Sequence, residues 1–198
     1  MPLQAWELLH ILQERVFAAL EAANVSGLAI NHDVMAWYID PLTSESGWPE
    51  HRDRADSADP LDYVTCWVAL TESTLENGCI RVRNSRQGPS RKRRLTALPA
   101  RPGDALLWHG HLPHSGGPSR PSAPVPRVAL SCGASRASLE RPEMRLGADA
   151  HAAFLRGESV ALPDRLRLIA LILHLNDFLL DEPSRRLLEE LDSAEQAS

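Results

Sequence analysis

The sequence predicts a mainly β fold, a sandwich or barrel of short strands with helices at both ends of the chain. Three observations carry this expectation. Apolar runs of strand length, rich in β-branched and aromatic residues, recur across the middle of the chain. Gly, Pro and Asn turn signals separate them at close spacing. Both ends instead place apolar residues at helical intervals.

In chain order, residues 3–23 carry Trp6, Leu9, Val16 and Leu20 on one stripe, without Pro or Gly, and read as a helix. Residues 33–40, around Trp37 and Tyr38, read as a first strand. After a loop over 41–60 comes a second, 63–70, with the sequence Tyr-Val-Thr-Cys-Trp-Val-Ala-Leu. A polar turn over 71–78 ends in the pair Asn77-Gly78. A strand over 79–83 follows, in which apolar and basic residues alternate. The turn Pro102-Gly103-Asp104 leads into 105–108, and the proline-rich stretch 116–126 into a last strand, 126–132. Residues 147–157 and 163–192 read as helices, with Pro163 and Pro183 placed at helix starts. The whole, 1–198, is expected to be one domain with a β core over about 26–135.

Composition narrows the function classes. With 43% hydrophobic residues in 198, the chain can bury a sizeable core. A net charge of −5 does not suit a polyanion partner, and the basic run Ser90-Arg-Lys-Arg-Arg94 lacks base-stacking aromatics, so no nucleic-acid role is expected. The most apolar run, 166–180, is interrupted by Arg167, His174, Asn176 and Asp177 and is too polar to span a bilayer. Cys66, Cys79 and Cys132 have no paired spacing and read as reduced thiols of a cytoplasmic protein without a signal peptide.

The chemistry rests on His51-Arg52-Asp53 and a distant histidine. In an extended segment, residues at i and i+2 face the same way, so His51 and Asp53 would share a face. A third imidazole would complete a 2-His-1-carboxylate triad, which holds one face of a non-haem Fe(II) and leaves the other open. Alone the triplet is weak, since chance supplies roughly half a His-x-Asp match in a chain of this composition. His109, His111 and His114 all compete for the third position. His109 and His111 together, after Gly103, look like the start of a cupin metal motif, but its glutamate is missing and Ser115 stands near its place.

Taken together, Trp48-Pro-Glu-His-Arg-Asp53, Trp67-Val-Ala-Leu70 with Glu76-Asn-Gly-Cys-Ile80, Pro102-Gly-Asp104 with Leu107-Trp108, and His114-Ser-Gly-Gly-Pro118 followed by Arg127 resemble the phytanoyl-CoA dioxygenase family of Fe(II)/2-oxoglutarate-dependent oxygenases. The resemblance covers about residues 30–135. It implies a double-stranded β-helix, the jelly-roll or cupin-like barrel, with His51, Asp53 and His114 as metal ligands. It also implies 2-oxoglutarate as cosubstrate, with Arg127 as the partner of its C5-carboxylate through a planar two-pronged fork. The family's serine two residues after the distal histidine is Gly116 here, which makes Ser115 the candidate for that contact. Thr65 and Trp67, on one face of their strand, are candidates for lining the pocket. The activity implied is hydroxylation of a small molecule with conversion of 2-oxoglutarate and O2 to succinate and CO2; because Asp53 is present, no ligand position is left for a halide. The alternatives are a catalytically silent β-barrel binding protein and a cupin-type metalloenzyme using His109 and His111.

Overall fold

The computed structural model describes residues 3–32, 34–43, 48–83, 95–136, 139, 146, 148–175, 180–186 and 189. The chain divides into two compact units, Asn24–Leu139 and Met1–Ala23 with Glu140–Ser198. The first is the β unit, and all eight strands belong to it: β1 (Leu28–Ile30), β2 (Met35–Ile39), β3 (Tyr63–Ala69), β4 (Ile80–Arg83), β5 (Leu95–Leu98), β6 (Ala105–His109), β7 (His114–Gly116) and β8 (Arg127–Arg136).

Every pairing is antiparallel. One sheet runs β1-β8-β3-β6, with β2 also on β8; the other runs β5-β4-β7. β1 and β2 share one edge of β8, pairing with Ala134–Arg136 and Arg127–Ser131 respectively. This is the expected double-stranded β-helix architecture.

Burial explains why β3 reads as a continuous apolar run: every residue from Val64 to Ala69 is buried, so both faces are covered. A core cluster of Trp67, Ala69, Ile80, Ala100, Trp108 and Ala129 draws from both sheets, and Trp37, Val82, Leu106 and Leu112 pack against it. Two turns fix the strand connections. At Asn77-Gly78, Gly78 has φ +85, and a Cβ there would lie 2.5 Å from the Gly117 carbonyl oxygen, so only glycine fits. The buried Asn77 side chain accepts from the Thr74 amide at 2.7 Å and donates to the Glu72 carbonyl at 2.7 Å. At 101–104, Gly103 also has positive φ, and the Asp104 amide donates to the Arg101 carbonyl at 2.9 Å.

In the helical unit, α1 (Leu3–Ala22) follows the expected stripe, and Trp6, Leu9, Leu12, Val16 and Leu20 are all buried. The Trp6 ring meets Phe154 of α2 (Ala148–Leu155) edge-on at 6.1 Å. α3 (Leu162–Leu175) begins near Pro163 as expected, and the helical stretch read over 163–192 is interrupted before Pro183, the second expected start. Residues 180–181 are not helical, and a new turn spans 182–186. The physical reason is a second start signal: the Asp181 carboxylate accepts from the Ser184 amide at 3.0 Å, and Pro183 follows within the first turn. Among the described residues, no helix is long and apolar enough to cross a membrane. The basic run 90–94 lies outside the described residues.

Three strands were not anticipated: β1, β5 and β7, of three or four residues each. The segment His51–Asp53 also differs from the extended form expected of it. Only His51 pairs, in an isolated bridge with His114, and a turn begins at Asp53. The Arg54 amide bonds the Gly110 carbonyl at 3.1 Å and the Ser57 hydroxyl folds back on the Arg54 carbonyl at 3.1 Å, which bends the chain there.

Candidate metal centre

A cleft of about 70 Å³ opens between the two sheets. The five-stranded sheet contributes Trp37, Thr65, Trp67, Trp108, Arg127 and Ser131; the three-stranded sheet contributes Ile80, His114 and Gly116; and the incoming loop adds Trp48, His51 and Asp53.

Backbone pairing brings the two histidines together. His51 and His114 exchange both amide bonds, at 2.9 and 3.0 Å, and the Gly116 amide donates to the Trp48 carbonyl at 2.9 Å. Residues 48–51 thus act as an added strand along β7, which is held by β4 on its other side. The Arg83 guanidinium of β4 grips the Glu50 carboxylate at 2.8 Å through Nε, and also through Nη2. The imidazole centroids stand 4.3 Å apart.

His51, Asp53 and His114 each offer a ligand atom, and these atoms lie within 4.8 Å of one another. Asp53 Oδ1 is 3.3 Å from His51 Nε2 and 3.5 Å from His114 Nε2. Neighbouring ligands of an ion bound at roughly 2.1 Å stand about 3 Å apart, so the set is close to metal-ligand spacing. Tautomers agree. His51 Nδ1 is 2.8 Å from the Pro49 carbonyl and His114 Nδ1 is 3.0 Å from the Leu112 carbonyl. A carbonyl can only accept, so each Nδ1 carries the hydrogen and each Nε2 presents a lone pair to the centre. Asp53 Oδ2 accepts from Trp108 Nε1 at 2.9 Å and from the Thr65 hydroxyl, which leaves Oδ1 turned to the histidines. The donor set fits a first-row divalent ion.

The electrostatics follow. Burial raises the Asp53 carboxyl, but the hydrogen bond with His51, the charge of His114 and the bonds from Thr65 and Trp108 outweigh it and hold the group below the usual range. The hydrogen bond to Asp53 raises His51 above an ordinary imidazole, whereas burial lowers His114. Below its raised pKa, His51 carries a second proton that a metal must displace. Metal affinity is therefore expected to fall as the pH drops, starting above the ordinary imidazole value, by about tenfold per pH unit for one displaced proton. Anaerobic Co(II) titrations between pH 8 and 6 check this.

Arg127 opens β8 and is buried, 2% exposed. Its Nη1 donates to the Gly78 carbonyl at 2.6 Å, and its guanidinium carbon lies 5.9 Å from the Trp67 ring centre. Among the described residues Nε has no hydrogen-bond partner. Among the described residues no carboxylate pairs with it, and burial lowers its pKa. A buried cation with an unused donor, facing a cleft, suits an anionic ligand.

The other candidates are placed as follows. Thr65 and Trp67 line the cleft. Ser115 is buried on β7 opposite Arg81 and is not among the lining residues; its neighbours His114 and Gly116 take the cleft face. His109 ends β6, where burial lowers its pKa. His111 lies beyond a turn at Gly110, its Nε2 2.9 Å from both the hydroxyl and the carbonyl oxygens of Ser57. Among the described residues His51, Asp53 and His114 are the ones that converge, and neither His109 nor His111 joins them. Sequence reading gave no role to Trp37, Trp48, Trp108 and Ser131; the available signal was that three of the five tryptophans lie in strand segments and a fourth, Trp48, stands three residues before His51.

Fold and site together define a double-stranded β-helix protein with a mononuclear metal site. The family model described as phytanoyl-CoA dioxygenase (PhyH) matches residues 6–127, and the chain belongs to this family. No curated protein matches the chain significantly. Among solved structures, EvdMO1 is 24% identical over 61% of this chain and 30% of its own, with TM-score 0.50. AviO1 from Streptomyces viridochromogenes Tue57 is 18% identical over 63% and 59%, with TM-score 0.51. SnoN, described as a non-heme alpha ketoglutarate dependent epimerase from nogalamycin biosynthesis, is 18% identical over 66% and 58%, with TM-score 0.50. The match spans less than two thirds of each of these chains, and at such identities it speaks for the fold.

Proposed function

We propose that this chain, as one domain over 1–198, is an Fe(II)/2-oxoglutarate-dependent dioxygenase that hydroxylates a small molecule in the cytoplasm. The observation that carries the reading is the placement of His51, Asp53, His114 and Arg127 around one cleft. Iron(II) with 2-oxoglutarate would supply oxidative decarboxylation to succinate and CO2 and the activation of O2.

The chain's own residues would divide the work. His51 and His114 would hold the metal through Nε2 while the Pro49 and Leu112 carbonyls fix their rings. Asp53 would add the negative ligand through Oδ1. Arg127 would orient 2-oxoglutarate by its far carboxylate, using the donors not committed to Gly78. Trp37 and Trp48, edge-to-face at 5.7 Å, would wall the substrate side and exclude water. Hydroxylation is the outcome we favour, although the similar structure SnoN is described as an epimerase.

The test uses the full chain under anaerobic conditions. Fe(II) plus 2-oxoglutarate is expected to give a weak visible charge-transfer band, and a true substrate is expected to accelerate succinate formation in air. A chain that binds no metal and gives no band is a silent scaffold, and the reading fails.

A further inference from the structure

We infer that Thr65 and Trp108 are positioning residues of the metal site: as one cross-strand pair they occupy a single oxygen of Asp53 and so commit the other to the ion. The inference rests on the metal-site reading above and concerns how the carboxylate is aimed.

The register places Thr65 directly opposite Trp108 in the β3–β6 ladder, so both side chains rise from the same face of the sheet. Both line the cleft. Their donors, the hydroxyl of Thr65 and the indole N–H of Trp108, converge on Oδ2 of Asp53. Each finds its hydrogen-bond partner in that one oxygen.

Asp53 needs such a constraint. It sits where the chain turns, with no ladder partner, so no strand pairing orients its carboxylate. The terminal torsion of an aspartate is broad, and nothing local fixes the plane of its carboxylate. Two donors on a single oxygen, Oδ2, fix that plane, and Oδ1 is left at 3.3 and 3.5 Å from the two imidazole nitrogens. A carboxylate turned a quarter-turn out of it would leave the indole N–H and the hydroxyl without their acceptor in a buried site. Trp108 also packs its ring on His114, with centroids 4.7 Å apart at 48°, so one side chain touches two of the three proposed ligands.

Phenylalanine at 108 keeps an aromatic ring but deletes the N–H together with part of the indole, so its melting is read beside its metal affinity, whereas valine at 65 keeps the shape and deletes only the hydroxyl. The experiment is anaerobic titration of the full chain with Co(II) or Fe(II), without 2-oxoglutarate, on wild type, Trp108→Phe, Thr65→Val, Thr65→Ser and Asp53→Ala. Metal-free melting is measured on the same samples. Each deletion is expected to weaken metal binding by about 10–100-fold, the usual cost of losing a partner behind a ligand. Thr65→Ser, which restores the hydroxyl, is expected to return close to wild type.

Lowered melting with unchanged metal affinity in both deletions would show a purely structural role and overturn the inference. If one variant fails to fold, the other decides, with Thr65→Ser as its rescue. Wild type and Asp53→Ala binding metal equally would instead sink the metal-site reading itself, so the two failures are distinguishable.

Discussion

Asp53→Asn is expected to give a folded chain that no longer retains Fe(II). Asparagine keeps an oxygen for the Trp108 N–H and the Thr65 hydroxyl, so the neighbours stay satisfied. It removes the one negative charge that the cleft offers a divalent cation among its described lining residues. Affinity is expected to fall by more than about 100-fold, beyond what loss of an outer partner costs. Asp53→Ala adds a second penalty, because two buried donors then lack an acceptor at about 1–3 kcal/mol each. Its metal-free melting temperature is therefore expected to drop as well. His114→Ala is expected to abolish the visible Fe(II)/2-oxoglutarate band, whereas His109→Ala and His111→Ala are expected to keep it. Band loss in the latter pair with retention in His114→Ala would transfer the site to the cupin-type arrangement.

Arg127→Met is expected to separate stability from function. Among the described residues the wild-type guanidinium is buried without an acidic partner, and its Nε has no hydrogen-bond partner of any kind there. Removing one member of a buried, hydrogen-bonded charge pair costs about 2–5 kcal/mol, which for 2-oxoglutarate means an affinity loss of roughly 30-fold to several thousand-fold. Metal binding in the absence of 2-oxoglutarate is expected to stay near wild type. The ligand-free melting temperature is expected to hold or rise, since an apolar chain of similar length relieves an uncompensated buried charge. Arg127→Lys keeps the charge without the fork and is expected to fall between. Titration of 2-oxoglutarate into the Fe(II) protein, beside thermal melting, reads both effects. Unchanged 2-oxoglutarate affinity in Arg127→Met would remove Arg127 from the site.

Much of this was legible in the residues, for reasons that also mark the limits. β3, β4 and β8 announced themselves because burial demands apolar runs or alternation, and those patterns are local. α1 did so through its single buried stripe. β7 did not, since His-Ser-Gly has no strand preference of its own; it is extended because Val82 and His51 pair with His114 from either side. The His51-x-Asp53 spacing was suggestive, but the periodicity argument behind it does not apply. Asp53 lies in a turn, and it meets the histidines because Thr65 and Trp108, distant in sequence, hold it there. The restart at Pro183 was legible as a helix-start signal, whereas the Asp181 carboxylate that caps it was not singled out. Ser115 followed from a family position, whereas strand alternation gives the cleft to its neighbours.

β8 lies between β3 on one side and β1 and β2 on the other, and it is the last strand of its unit. Trp37 of β2 and Ser131 of β8, joined by a 2.8 Å bond, are 94 residues apart in the chain. Closing loops of that size makes folding slow, because the ordering cost falls before the contacts that reward it. As the chain leaves the ribosome, β1, β2 and β3 emerge with one edge each waiting for β8, and such edges invite mispairing. Because Arg127 opens β8, the cleft gains its buried cation when this strand pairs, whereas His51, Asp53 and His114 all lie earlier in the chain.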